Sequence, residues 1–212
     1  MATLHSTALR NFLANSGFKT AFDTDGRLSF FTGTRPTVAN RDAIPSGTLL
    51  GTLILSATAF GSPSAGVLTA NAVSSDTNAD ASGTPGYAVF HKNGEAALTA
   101  VAGASDKRLF VSCGGYCKLT VAALAGDTTF TVDDTSLMPA SGTVKINNEE
   151  VTYTGKTLTT LTGLGRGANG TVAAGHAIND IASQTDTDIN FDKAVIAGNT
   201  IAQISFTYTM PE

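Results

Sequence analysis

Tryptophan is absent from this sequence, and charged and aromatic side chains are scarce. Charged residues make up 14% of the 212 residues and aromatic residues 7%. Aromatic side chains usually dominate binding hot spots, so their scarcity argues against an ordinary aromatic-lined protein or sugar site. The net charge is -4 and no patch of Lys and Arg is present. A protein that follows a phosphate backbone needs clustered cations, so we expect no nucleic-acid partner.

Long apolar runs are also missing. No run of about 18 apolar residues is present, which predicts no transmembrane span and no membrane partner. The first residues lack the basic and apolar regions of a signal peptide. We therefore expect the chain to be made and folded in the cytoplasm.

Cysteine is limited to Cys113 and Cys117. Two cysteines are too few for a disulfide framework or for a zinc site made of cysteines alone. Three states remain open: a strained local disulfide permitted by the glycines between them, a metal shared with His176, or free thiols. Free thiols are favoured, because a bond made in the cytoplasm does not persist there.

Thr, Ala, Gly and Ser fill the composition, so the surface is expected to be neutral and polar, which suits packing against other protein. Short runs of alternating or apolar residues, separated by turn residues, predict strands rather than β-α-β units. Thr48 to Ser56 is apolar on both faces and predicts a strand buried on both sides. The predicted strands of this domain are Arg27–Thr32, Thr48–Ser56, Val67–Val73, Tyr87–Phe90, Ala96–Val101 and Thr200–Met210, with Asn93-Gly94 as the turn before the fifth.

A second group of strands lies between Lys118 and Ile181. Val144 and Ile146 precede Asn147-Asn148-Glu149, and Val151 and Tyr153 follow, which predicts a hairpin. The fold class predicted is all-β: an antiparallel, jelly-roll-like β-sandwich with a short N-terminal helix and an inserted small β domain. The predicted domains are a helix or arm over residues 1–19, a discontinuous sandwich over 20–106 plus 186–212, and an insert over 107–185.

The N-terminal segment shows helical spacing at Leu9, Phe12 and Leu13, with Gly17 as the stop. Two readings are open. The helix packs on the β domain, or it is an arm that reaches a neighbouring subunit, in which case these three residues make the contact.

No pattern in the sequence predicts catalysis, a cofactor or a metal site. Gly165-Arg-Gly-Ala-Asn-Gly170 matches a dinucleotide fingerprint, but the all-β context favours a tight turn instead. The doublets Asp133-Asp134 and Glu149-Glu150 are expected to be solvated turn residues, with at most one carboxylate of each doublet usable, since strand neighbours point to opposite faces. His5, His91 and His176 are scattered, with no evident nucleophile nearby. We predict that the chain is not an enzyme.

Several stretches of the predicted sandwich are similar to small phage proteins. The stretches Phe31-Thr-Gly-Thr-Arg35-Pro36, Gly66-Val-Leu-Thr-Ala-Asn71 and Ile204-Ser-Phe-Thr-Tyr-Thr209 resemble capsid-decoration, or cement, proteins. The resemblance covers most of the sandwich. In the usual version, a sequence like Val101-Ala-Gly-Ala-Ser105 runs directly into one like Asp188-Ile-Asn-Phe191, whereas here the insert intervenes.

The insert resembles a small β module that recurs in phage tail and head proteins, through Thr131-Val-Asp-Asp-Thr-Ser-Leu137, Glu150-Val-Thr-Tyr-Thr-Gly155 and Arg166-Gly-Ala-Asn-Gly-Thr171. Together the two resemblances imply a structural virion protein that binds the major capsid protein on the assembled shell and cements neighbouring capsomers. In this reading the protein is a homotrimer, the insert projects outward, and an N-terminal arm contacts the capsid through Leu9, Phe12 and Leu13. The alternative is a receptor- or glycan-binding module of a fibre or tail. It would place Tyr116, Tyr153, Arg166 and Asn169 on an exposed face of the insert, in contact with a host-surface glycan.

Overall fold

The computed structural model describes residues 4–5, 17–62, 67–92, 98–103, 106–202 and 207–209. The predicted N-terminal helix, including Leu9, Phe12 and Leu13, lies outside these ranges. Within them the chain is built from antiparallel strands with one short α-helix, α1 (Phe18–Phe22), so the all-β, sandwich-like fold class is confirmed. Among the described residues, no helix is long and apolar enough to cross a membrane.

The chain divides into two compact units. The host unit comprises Ala2–Ser112 and Val195–Glu212, and the insert unit comprises Cys113–Ala194. These bounds differ from those of the predicted insert, residues 107–185.

The host unit contains strands on both sides of the insert in sequence. Its sheet follows the order β7-β6-β2-β3-β5, β1 also pairs with β7, and a separate two-stranded sheet joins β4 and β15. Fully buried side chains on these strands and on α1 form its core, among them Phe22, Leu28, Phe30, Leu53 and Phe110. The strands are β1 (Leu4–His5), β2 (Gly26–Phe31), β3 (Leu49–Leu55), β4 (Val67–Thr69), β5 (Val73–Ser74), β6 (Tyr87–Lys92), β7 (Leu109–Lys118) and β15 (Thr207–Thr209), and of β7 only residues 109–112 belong to this unit.

Three predictions about host strands are wrong in part. In β3, Leu53 and Leu55 are buried but Ile54 is 44% exposed, so the end of this strand is buried on one face only. The predicted strand Val67–Val73 is two strands, because β4 pairs with β15 and β5 pairs with β3. Residues 98–101 form no strand, and β6 pairs with β2 and β7 instead, because β7 offers the apolar run from Leu109 to Val111.

Strand β7 runs through Cys113 and Cys117, so the glycines between them form no tight loop. Its two glycines serve close approach rather than a turn: a Cβ on Gly115 would lie 2.7 Å from the Cβ of Leu137. Four residues of extended strand separate the two cysteines by roughly 13 Å, too far for a disulfide. Both thiols are free and buried, and burial raises their pKa values, that of Cys117 to about 12.

The insert unit has two sheets. One follows the order β10-β9-β13-β7, with β14 also paired to β7 in parallel, and the other follows the order β11-β12-β8. The predicted hairpin is confirmed as β9 and β10, joined by Asn147 and Asn148, with Asn147 at φ 53°. Leu119, Phe130, Val144 and Leu161 are in its core. The strands are β8 (Thr129–Thr131), β9 (Gly142–Ile146), β10 (Glu149–Tyr153), β11 (Gly155–Thr157), β12 (Thr160–Thr162), β13 (Ile181–Gln184) and β14 (Ile189–Phe191).

Candidate functional site

The insert unit contains a buried cluster of charged side chains centred on Glu149. Glu149 is the first residue of β10 and is 1% exposed, so its prediction as a solvated turn residue is wrong. Glu150, the next residue, is only partly buried, as expected for strand neighbours that point to opposite faces. The Glu149 carboxylate accepts five hydrogen bonds, from Arg166 Nε at 2.8 Å, Arg166 Nη2 at 2.9 Å, Gly167 N at 2.9 Å, Ala174 N at 3.0 Å and His176 Nε2 at 2.8 Å.

Arg166 extends from the glycine-rich segment onto this carboxylate. Its guanidinium forms a bidentate pair with Glu149 and also donates to the backbone carbonyls of Leu124 and Ala174. The guanidinium carbon lies 5.0 Å from the centroid of the Phe130 ring, within cation–π range. Arg166 therefore ties together three separate stretches of the insert unit.

His176 completes the cluster on the other side of the carboxylate. Its ring packs edge-on against Phe130, with centroids 6.0 Å apart. Because Glu149 can only accept, Nε2 of His176 carries the hydrogen of their 2.8 Å bond. On the far side of the ring, Nδ1 lies 3.9 Å from an Asp180 oxygen, beyond hydrogen-bond distance. That oxygen accepts a hydrogen bond from the Asn147 amide.

The electrostatics of Glu149 follow from these donors. Burial by itself raises the pKa of this carboxyl, but the hydrogen bonds from Arg166, Ala174, Gly167 and His176 together outweigh it and hold the pKa at about 2. The carboxylate is thus ionised across the physiological range. Five donors also occupy all of its acceptor positions, which leaves no lone pair for proton transfer or for a metal. The cluster therefore holds separate segments of the chain together.

The glycine-rich segment carries Arg166 into place. Gly167 and Gly170 have φ of 65° and 81°, and Asn169 has φ of 52°, all in the left-handed region that glycine adopts without steric cost. One turn of 3-10 helix, Ala168–Gly170, follows Gly167. The interpretation of this motif as a tight turn is confirmed.

Two of the four residues predicted to lie on an exposed face are buried. Tyr153 is 2% exposed because it points into the insert core, where its hydroxyl donates to the Pro139 carbonyl at 3.1 Å. Arg166 is withdrawn into the Glu149 pair. Asn169 is exposed and donates to Glu150, and Tyr116 is partly buried with the Lys118 ammonium 5.9 Å above its ring. The structure therefore does not assemble these four side chains into one contact site.

The other acidic doublet behaves largely as predicted. Asp133 is exposed, and its carboxylate accepts from the backbone N–H groups of Lys118 and Asp134. Asp134 caps Ser136 in the same way. These carboxylates stabilise a turn.

The host unit places a serine beside a histidine, a pairing that sequence reasoning missed. Ser29 Oγ lies 2.9 Å from His91 Nε2 and 2.7 Å from Thr52 Oγ1. Burial lowers the pKa of His91 to about 4, helped by the nearby charges of Arg27 and Arg108 and opposed by the bond to the Lys92 carbonyl. The ring is therefore neutral, with Nδ1 donating to that carbonyl and Nε2 accepting from Ser29.

This serine is not placed to act as a nucleophile. Ser29 is fully buried on β2, and the third member of its chain of hydrogen bonds is a threonine hydroxyl rather than an orienting carboxylate. His91 is buried near the end of β6, opposite Arg27 of β2. The arrangement is a satisfied polar network in the core.

The outer surface of the insert unit beside the Glu149 cluster is apolar and uncharged. Ala123 and His176 form an antiparallel bridge with both side chains buried, so neighbouring side chains point outward. Leu124 is 72% exposed and Val172 81% exposed. The only titratable side chain in residues 119–125 and 171–178 is that of His176, which is buried. We give the name uncharged face to six exposed apolar side chains of these two stretches, which are Val121, Ala122, Leu124, Val172, Ala177 and Ile178.

The acidic side chains next to this face accept hydrogen bonds from backbone N–H groups. Asp127 accepts from the Leu124 N–H at 2.8 Å, and Asp180 accepts from the Ala177 N–H at 2.9 Å. Within the part of the chain that the structure describes, no group of three or more His, Cys, Asp or Glu side chains is placed to hold a metal ion. No protein-family model, curated protein or solved structure matches this chain.

Proposed function

We propose that this chain is a structural virion protein that binds the assembled phage capsid surface and stabilises neighbouring capsomers, with copies meeting through the uncharged face of the insert unit. The observation that carries the proposal is that the insert unit buries charged side chains and exposes apolar ones. Glu149, Arg166 and His176 are turned inward, and exposed Leu and Val side chains are turned outward. The resemblance to capsid-decoration proteins supplies the shell as the surface to which the chain binds.

The lack of charge on this face suits a second copy as its partner. Each copy carries a net charge of -4, so copies repel one another wherever acidic surfaces meet. Like charges placed opposite each other across an interface cost several kcal/mol, and the uncharged face avoids that cost. Apolar side chains such as Leu124 and Val172 are 72% and 81% exposed, and their burial between copies is favourable. Closed symmetric oligomers are the rule for such association, and a trimer is the form that we propose.

Mass photometry of the purified chain tests the contact between copies. Wild-type protein is expected as a trimer, and Leu124→Asp or Val172→Asp is expected as a monomer, because a buried unpaired carboxylate opposes association. Leu158→Asp is the matched control, since Leu158 is 67% exposed but lies in the turn between β11 and β12. A monomeric wild type, or equal dissociation by all three variants, contradicts the contact.

Cosedimentation with empty shells of the phage that encodes the chain tests the capsid role. The chain is expected to pellet with shells and to raise the temperature at which they fall apart. Failure to bind shells contradicts the proposal. The glycan-binding alternative gains no support from the structure, because Tyr153 and Arg166 of its predicted site are buried.

A further inference from the structure

We infer that Glu149 is a latch: it holds the glycine-rich segment over the open edge of β10 and so assembles the uncharged face. The inference rests on the proposed function only for what that face contacts. The segment that Glu149 holds is residues 163–176, which we call the strap. The evidence for the latch is the set of contacts that the strap makes along β10.

The strap covers a sheet edge. Strand β10 is the last strand in the order β10-β9-β13-β7, so one of its edges has no neighbouring strand in that sheet. Along this edge Thr152 and Gly165 exchange two backbone hydrogen bonds, of 3.0 and 2.9 Å. The Glu150 N–H donates to the Thr171 hydroxyl at 3.0 Å. An uncovered edge offers backbone groups to any passing strand, and the strap occupies these.

Most of the strap has no regular structure to hold it in place. Between Gly165 and His176 it contains one three-residue turn of 3-10 helix, and its glycines favour an open chain. Glu149 fixes it at two points, by accepting from the N–H of Gly167 and from the N–H of Ala174. Hydrogen bonds to an ionised acceptor are roughly twice as strong as neutral ones.

The same carboxylate assembles the uncharged face through Arg166. Glu149 fixes the guanidinium, and the guanidinium in turn donates to the carbonyls of Leu124 and Ala174, one on each of the two segments that form the face. His176, also held by Glu149, forms the bridge to Ala123 between these segments. Glu149 is therefore a positioning residue for the face, which it does not itself touch.

A second carboxylate of the insert unit allows a matched experiment. Glu149→Gln keeps the size of the side chain but turns an amide N–H₂ toward donors. Asp133→Asn makes the same change at an exposed carboxylate whose hydrogen-bond partners, the N–H groups of Lys118 and Asp134, lie outside the strap. Amide hydrogen exchange of the full chain by NMR is the readout. In Glu149→Gln the amides of Gly167 and Ala174 are expected to exchange about tenfold faster or more, since loss of a charged partner is of that size. The same amides in Asp133→Asn, and the amides of β9 in both variants, are expected to exchange at wild-type rates.

A second variant keeps the latch falsifiable if Glu149→Gln does not fold. Arg166→Lys retains the positive charge but cannot bridge the carboxylate and two carbonyls at once. It is expected to speed exchange in the strap while β9 stays protected. Wild-type exchange rates in both variants, or equal acceleration of the strap and β9 in both, would overturn the latch.

Mass photometry of the same variants separates the two ideas. If the strap opens and the trimer dissociates, the latch and the contact through the face both hold. If the strap opens while wild type and Leu124→Asp have the same oligomeric state, the latch holds and the proposed contact between copies fails. If the strap stays closed, the latch fails whatever the oligomeric state.

Discussion

Acidification is expected to loosen the host unit before the insert unit. The pKa of His91 is lowered from 6.5 to about 4 in the folded chain, chiefly by burial. Between these two pH values the unfolded chain binds a proton at His91 that the folded chain does not bind. The contribution of His91 to the free energy of unfolding is therefore fully present above pH 6.5 and is lost as the pH falls toward 4. The total is about 3 kcal/mol once the pH is below 4, of which about 2 kcal/mol is lost by pH 5.

The insert unit responds in a different range. The pKa of Glu149 is lowered to about 2, so its contribution is complete above the ordinary value of 4.5 and is lost only as the pH falls toward 2. At pH 5 the carboxylate is still ionised and its five hydrogen bonds remain. The two units should therefore separate in an acid titration.

Hydrogen exchange at pH 7 and pH 5, corrected for the intrinsic exchange rate, measures this. Peptides from β2 and β6 are expected to lose about 2 kcal/mol of protection at pH 5, whereas peptides from β9 and β10 keep theirs. His91→Gln removes the titrating ring but can still accept from Ser29, so its host unit should change less with pH. Equal pH dependence in wild type and His91→Gln would refute the assignment to His91.

Three further predictions concern packing. Gly115→Ala is expected to cost roughly 1–3 kcal/mol in urea unfolding, because its Cβ would lie 2.7 Å from Leu137, whereas Gly126→Ala, with nothing within 4 Å, should cost little; similar costs would contradict the close approach. Leu161→Ala is expected to cost about 2–5 kcal/mol, because this side chain is fully buried, and Leu158→Ala almost nothing; equal losses would contradict the assigned core. Both cysteine thiols are expected to resist Ellman's reagent until the chain unfolds, since burial raises their pKa values; rapid reaction of the native chain would show otherwise.

Alternation along the chain was enough to predict the parts of the fold that depend on near neighbours. The β9–β10 hairpin follows from apolar residues at every second position on either side of Asn147 and Asn148. The same parity argument indicated that only one carboxylate of the Glu149-Glu150 doublet could be used, and one of them is buried. These inferences need no knowledge of distant residues.

Distant contacts decided the parts that sequence reasoning missed. Glycines 114 and 115 left a local disulfide open as one state of the two cysteines, but both lie in a ten-residue strand, where Leu137 and Thr187 approach the backbone. Glu149 looked solvated because its partners, Arg166 and His176, follow 17 and 27 residues later. An arginine between two glycines, followed by a single histidine, favours a carboxylate partner. The sequence does not show which acidic residue that partner is.

A cryo-electron microscopy map of empty shells incubated with the chain tests the proposed function most directly. The account predicts added density on the outer surface between neighbouring capsomers, with insert units of adjacent copies touching through Leu124 and Val172. Shells without added density, or bound copies whose uncharged faces are all open to solvent, would contradict it.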